Sequence, residues 1–266
     1  EGMLRMVLVG RGFHEVVSNS MQDRSTACIA SDSPVEILNP ISKEMAALRT
    51  SLLPGMLSIV RNNIFKGSKN LRLVEFGKEY TRSGASYRED DRLLLLMTGM
   101  AYPAHWDQKG RPADLFDLEG EVELLLGKIF LDKINFIPYS TTNALTESHL
   151  RIEIQGESIG SLGAVREDLR RRYEIEQEVI VAQVEMSKLV SVAAAPRKFK
   201  ELPRYPSVMR DLAVIIDAEI PVGAVRREIE GAGSTLLRSV ELFDIFAGEQ
   251  VGIGKKSCAF ALEFMA

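Results

Sequence analysis

Residues 71–98 read LRLVEFGKEYTRSGASYREDDRLLLLMT, and this stretch decides the fold. Between Leu71 and Arg82 the side chains alternate. Leu71, Leu73, Glu75, Gly77 and Glu79 fall on one side, and Arg72, Val74, Phe76, Lys78 and Tyr80 on the other. A period of two is a strand period. Arg92–Thr98 is almost continuously apolar, which predicts a central strand covered on both faces. The polar segment Ser83–Asp91 predicts a loop between the two.

Outward from this pair, Pro54 opens a helix with Met56, Leu57, Val60, Ile64 and Phe65 at helical spacing, and Gly67 closes it. Asp114–Phe130 is the clearest helix. Asp114 or Asp117 can cap it, and Val122, Leu125, Leu126 and Ile129 form its stripe. Met3–Arg11 reads as a helix end stopped by Gly10 and Gly12, and Phe13–Ser20 as a strand. Lys133–Pro138, Arg151–Ile154, Ile159–Val165 and Val179–Glu185 predict further strands, with a hairpin turn at Gly156–Gly160 and a short helix at Met186–Val190. Strands and helices do not alternate strictly, so the class is α+β and not a doubly wound sheet.

Ala193–Val208 carries Pro196, Pro203 and Pro206 and predicts a linker. After it come a strand at Arg210–Ile216, a helix at Val222–Ala232, and strands at Leu236–Phe246 and Lys256–Phe264. This βαββ order is most of a ferredoxin-like unit, which needs one more helix and strand. The last domain is therefore expected to be incomplete, and the starting Glu1 points to a piece of a longer protein. At 266 residues the chain has length for about two domains.

Several chemistries are excluded. Cys28 and Cys258 form no Cys-x-x-Cys pair, and His14, His105 and His149 have no metal-ligand spacing. Gly10-Arg11-Gly12 lacks the third glycine of a dinucleotide cradle, and Gly252-Ile253-Gly254-Lys255-Lys256-Ser257 leads into a strand, as a hairpin loop does. The acids of 114–123 read as a solvated helix face, His105-Trp106 as loop packing, and the Arg170–Arg172 run as a solvent face. The longest uncharged apolar run, Leu93–Ala104, is too short to span a membrane.

Lys255, Lys256 and Ser257 stand near Phe243, Phe246 and Phe260, and Arg197, Lys198, Lys200 and Arg204 interleave with Phe199 and Tyr205. Cations beside aromatics on an α/β unit suit single-stranded RNA. Residues 197–266 nevertheless hold ten basic and ten acidic side chains, so either a local RNA contact or a plain packing module fits.

The chain resembles the bacterial phenylalanine–tRNA ligase β-subunit family. The resemblance rests on Asn39-Pro40-x-Ser42-x-Glu44-Met45-x-x-Leu48-Arg49-Thr50-Ser51-Leu52-Leu53-Pro54-Gly55, Arg72–Lys78, Phe116–Glu123 and Gly156-x-x-Ile159-Gly160-x-Leu162-Gly163. It continues through Pro206–Ala213, Leu242-Phe243-Asp244 and Gly254–Ser257. The resemblance implies a class II synthetase-like antiparallel sheet with flanking helices over 1–195. It implies a linker and ferredoxin-like anticodon-binding domain over 196–266. It further implies a catalytic α subunit as partner in an (αβ)₂ assembly, tRNA(Phe) as RNA partner, ATP and Mg²⁺ used by the intact enzyme, and a cytoplasmic location.

Class II catalytic strands end in Phe-Arg-x-Glu. Here Thr81 stands at the arginine position and Ser83 at the acid position, and Val179–Val190 has neither the glycine nor the arginine of the class's strand–helix motif. No guanidinium is then expected where a nucleotide triphosphate would sit, so this portion is expected to be a non-catalytic scaffold binding no cofactor itself. For the anticodon contact the expected residues are Asp244, Lys255, Lys256 and Ser257, with Arg210 nearby. His149 takes no role, because Leu145–Leu150 departs from the family's His-Pro-Gly-Arg type segment. A self-sufficient class II-like ligase and a stand-alone regulatory protein without RNA binding remain as rivals.

Overall fold

The computed structural model describes residues 1–129, 134–193, 205–233 and 235–265. The chain forms two compact units, Glu1–Ala195 and Pro196–Ala266. The basic and aromatic residues expected in the linker between Pro196 and Arg204 lie outside the described residues.

In the first unit the helices are α1 (Gly2–Gly10), α2 (Arg24–Ala27), α3 (Leu53–Phe65), α4 (Leu115–Lys128), α5 (Glu167–Arg172) and α6 (Met186–Ala193). Its short strands are β1 (His14–Glu15), β2 (Met21–Gln22), β3 (Ala47–Leu48), β6 (Met100–Tyr102) and β7 (Arg111–Pro112). The long ones are β4 (Leu71–Ser83), β5 (Ser86–Thr98), β8 (Ile134–Thr142), β9 (Thr146–Ile154), β10 (Glu157–Val165) and β11 (Val179–Glu185). Seven of them form one sheet in the order β1-β4-β5-β11-β10-β9-β8. Only the β1–β4 pair is parallel; the rest are antiparallel.

β5 lies inside this sheet between β4 and β11, and Leu93–Met97 are all buried. Leu93, Leu95 and Met97 face α1, α4 and α6 through Leu4, Leu8, Leu118, Val122, Leu125 and Leu189. Leu94 and Leu96 face the other way, against Leu53, Met56, Leu57 and Val60 of α3 and Leu169 of α5. Each fully buried leucine contributes about 1.5–3 kcal/mol of transfer free energy. One strand thus ties two helical layers together.

Ser83–Asp91 is not a loop. β4 and β5 pair continuously from Leu71↔Thr98 to Ser83↔Ser86, closing on Gly84 and Ala85. The outer half of this hairpin has water on both sides, so it carries none of the apolar alternation by which a strand is read from sequence. The strand expected over Phe13–Ser20 is likewise short. β1 ends at Glu15, one further backbone bond runs from Val16 N–H to the Val74 carbonyl, and Ser18 then bonds the Glu75 carboxylate.

α4 begins in a capping box in which Asp114 and Asp117 accept each other's backbone N–H. Its acids are not uniformly solvated. Glu121 is buried and accepts from Arg11 at 2.9 Å and Arg72 at 3.1 Å, which ties α1, β4 and α4 together. Arg170 bonds the carbonyls of Val165, Glu176 and Gln177 and so braces a turn instead of facing solvent. Phe65, expected in the α3 stripe, and Trp106, expected in loop packing, are both exposed. At Gln155-Gly156 both residues take positive φ, which closes the β9–β10 hairpin with a twist matching its strands.

The second unit runs β12 (Val208–Asp217), α7 (Val222–Ala232), β13 (Leu237–Phe246) and β14 (Lys255–Phe264), in sheet order β12-β14-β13. The helix covers one face, over Val240, Cys258 and Phe260, with Val214, Val225, Ile229 and Leu262 partly buried around them. So small a core makes each buried group count. Phe260→Ala should cost about 3–5 kcal/mol. Hydrogen exchange should show β12, β13 and β14 losing protection together while β5 and β11 keep theirs; retained protection in β14 would contradict this.

Candidate functional site

On the α3-facing side of the large sheet, register places chemistry-bearing residues in rows. Glu75, Leu94, Gln183, Ser161 and Arg151 stand side by side on successive strands, and next to them Gly77, Arg92 and Glu185. Thr81 shares this side, and Arg82 points to the other, with its Nε donating to the Gly84 carbonyl at 3.0 Å. A cleft of about 260 Å³ opens here, lined by Arg92, Tyr139, Arg151, Ser161, Gln183 and Glu185.

Guanidinium groups therefore do reach this face, contrary to the expectation from the sequence. Arg92 and Arg151 come from strands outside the expected motifs, and only the register shows that they share a side with Glu75. Each is matched by acids. Arg92 lies 3.2 Å from Glu79, 3.2 Å from Glu185 and 4.0 Å from Asp90. Arg151 lies 2.6 Å from Glu153. Arg49 crosses the sheet beneath α3, donating to Glu75 at 2.7 Å and to the Lys78 carbonyl at 2.8 Å. Gly77 leaves room for it, since a Cβ there would overlap the Arg49 guanidinium and Leu52.

Glu79 accepts from the Leu52 N–H at 3.0 Å, at the start of α3, and from Gln183 Nε2 at 2.9 Å. Burial pushes its carboxyl above the usual range, and the Leu52 amide and Arg92 offset this only in part. Burial also pushes Glu185 up, but Lys188 and Arg92 outweigh it and hold that carboxyl below its ordinary value.

The second unit presents an open sheet face opposite α7. Ser257 stands between Ile215 and Phe246, Lys255 opposite Asp217, and Asp244 opposite Ala259. Three expected RNA-contact residues, Asp244, Lys255 and Ser257, are thus brought together beside exposed Phe246 and Ile215. Lys256 is on the helix side, opposite Ile216, and its ammonium donates to the Ala218 carbonyl at 2.9 Å. Arg210 is opposite Leu262, also on the helix side and toward the far end of β12.

Period two would have put Asp244 on the same side as the inward Leu242. A bulge between Leu242 and Asp244 reverses the phase and turns the acid outward. The open face also carries Asp211, Glu241 and Glu263, so it is acidic, a property visible only once the three strands are aligned. Among the described residues no cluster of His, Cys, Asp and Glu is arranged to hold a metal ion. No described helix is long and apolar enough to cross a membrane.

Residues 1–186 match the family model described as the phenylalanyl tRNA synthetase beta chain CLM domain. Residues 203–266 match the ferredoxin-fold anticodon binding domain. The phenylalanine–tRNA ligase beta subunit of Salinibacter ruber is 36% identical over all of this chain, which covers 35% of that protein. The corresponding subunit of Porphyromonas gingivalis is 32% identical over 95% of this chain and 33% of its own. The chain thus spans about a third of the length of these curated relatives. A solved pyrrolysyl-tRNA synthetase from Desulfitobacterium hafniense superposes on 72% of this chain and 67% of its own, with a TM-score of 0.55 at 17% identity, a likeness of fold.

The raised Glu79 carboxyl has a pH consequence. It holds its proton to a higher pH in the folded chain than in the unfolded one. Its stabilising contribution is therefore present below the ordinary carboxylate pKa and is lost as pH rises through the raised value. In urea unfolding, the stability of the native chain minus that of Glu79→Gln should fall as pH rises above the ordinary carboxylate range. A difference that grows with pH would contradict the assignment.

Proposed function

This chain belongs to the phenylalanyl-tRNA synthetase beta-chain family, and from that premise we propose that it serves as the non-catalytic portion of a phenylalanine–tRNA ligase. Its first unit supports a catalytic α subunit in an (αβ)₂ assembly, and its second contacts the anticodon of tRNA(Phe) in the cytoplasm. ATP and Mg²⁺ are used by the α subunit and not by this chain.

The observation that carries this reading is the charge balance over the large sheet. Stabilising a developing adenylate requires cations preorganised toward a phosphate and not already satisfied. Arg92 and Arg151 each have carboxylates at ion-pair distance, and with Arg88 on Asp90 and Lys188 on Glu185 the cations of this face are balanced by Glu79, Asp90, Glu153 and Glu185. These residues do not fit a nucleotide triphosphate. Their charges pair with one another and hold the sheet and α3 in shape, while the buried Nε atoms of Arg92 and Arg151 have no hydrogen-bond partner among the described residues.

For the RNA contact, the acidic open face of the second unit favours base edges over backbone. Asp244 can accept from a base amine, Ser257 can donate or accept, Phe246 offers a stacking surface, and Lys255 can reach one phosphate. Lys256 and Arg210 are peripheral in this scheme.

Anisotropy of a labelled tRNA(Phe) anticodon stem-loop tests it. Lys255→Ala should weaken binding and reduce the slope of log K against log salt by about 1. Asp244→Asn should cost about 1–3 kcal/mol against the cognate anticodon and narrow its margin over other anticodons. Binding unchanged by both substitutions would overturn the assignment. A larger loss from Lys256→Ala than from Lys255→Ala would move the contact to the helix side.

A further inference from the structure

The cleft over the large sheet holds two kinds of polar group, and they differ in whether the protein satisfies them. Its charges are paired. Arg92 lies 3.2 Å from Glu79 and 3.2 Å from Glu185, Lys188 lies 3.1 Å from Glu185, and Arg151 lies 2.6 Å from Glu153. Its neutral groups are left over. Among the described residues, the hydroxyls of Ser158, Ser161 and Tyr139 line the cleft without a protein hydrogen-bond partner. Gln183 spends its Nε2 on Glu79 at 2.9 Å, which leaves its Oε1 as an acceptor.

Backbone geometry gathers these groups. Ser158 and Ser161 are three residues apart on β10, and an unbroken strand would put them on opposite faces. A bulge between Ser158 and Gly160 reverses the phase. Ser158 then stands opposite Glu153 and Ser161 opposite Arg151, both on the open side, while Ile159 is buried on the helix side. Bulges of this kind re-aim side chains beside binding sites. Lys188 donates to the Ser158 carbonyl at 3.2 Å and holds that end of β10. At Gly160 a Cβ would overlap the Gln183 carbonyl, so glycine lets β10 lie this close to β11. The cleft is about 260 Å³, below the about 300–1,000 Å³ typical of pockets for drug-sized ligands, and so suits one small ring.

We propose that this cleft is a binding site for a small neutral molecule rich in hydroxyl groups, a monosaccharide or a cyclic polyol. Its chemistry selects that class. A charged ligand has to pull a carboxylate from Arg92 or Arg151, or enter without a counter-charge, and desolvating an unpaired ion is costly. A neutral hydroxyl donates and accepts at once. It can satisfy Ser158, Ser161, Tyr139 and Gln183 Oε1 with every ion pair left intact. The Tyr139 ring, with the Arg151 guanidinium 5.9 Å from its centroid, adds apolar surface to the wall. All of these groups belong to this chain, so the site needs no subunit partner.

Titration of D-glucose, D-ribose and myo-inositol into the ¹⁵N-labelled chain tests this, with inorganic phosphate and glycine as charged probes. At least one hydroxylated probe should bind in the low millimolar range and saturably shift the amide crosspeaks of Ser158, Gly160 and Ser161 and the Gln183 side-chain amide. Its Kd should stay the same between about 0.05 and 0.5 M NaCl, because no charge is exchanged. Ser161→Ala and Tyr139→Phe should keep the melting temperature and each weaken that binding by about two- to tenfold. Binding unchanged in both variants would put the ligand elsewhere and overturn the site. Saturation by phosphate or glycine, and by none of the three hydroxylated probes, overturns the neutral class. No saturable shift from any probe overturns the proposal outright.

Discussion

Arg92 stands between three carboxylates, and the character of the large sheet's open side follows from this. A guanidinium left unpaired on a sheet face is free to bind a phosphate. The same group with Glu79, Glu185 and Asp90 within 3.2–4.0 Å is a structural fastener. Arg49 and Glu75, both buried, make a second fastener under α3. Removing one partner of such a buried pair typically costs about 3–5 kcal/mol, because the other charge is stranded. The arrangement ties Ser18, Arg49 and α3 to the sheet and pairs the charges of Arg92 and Arg151 with neighbouring carboxylates.

The family resemblance and the fold agree on a synthetase-like sheet, and the solved pyrrolysyl-tRNA synthetase shows that the likeness extends over most of this chain. A fold alone does not confer activity. What differs between a working site and a scaffold is the balance of charge on one sheet face. Here that balance is decided by strand residues well apart in sequence, at positions 79, 90, 92, 153 and 185.

Much of the fold was legible because burial imposes a period. Arg92–Thr98 read as a strand covered on both faces, and the α4 stripe read as a helix, since in both cases the apolar pattern has one geometric cause. Ser83–Asp91 was illegible for the converse reason: a hairpin wetted on both faces needs no pattern. Glu121 looked like one of several helix acids, and only the approach of Arg11 and Arg72 from α1 and β4 makes it a buried node. The candidate contacts were half legible. Ser257 and Lys255 follow from period two on β14, but Asp244 reaches the open face through a bulge that no alternation predicts, and Arg92 and Arg151 become neighbours only through register.

The most direct test of the central claim is titration of Mg²⁺–ATP into the chain by calorimetry, with crosspeaks of the Arg92 and Arg151 side chains followed by NMR. The charge-matched face predicts no heat of binding at millimolar nucleotide and no movement of either guanidinium signal. Saturable binding, with both signals shifting, would show that these arginines release their carboxylates for a phosphate.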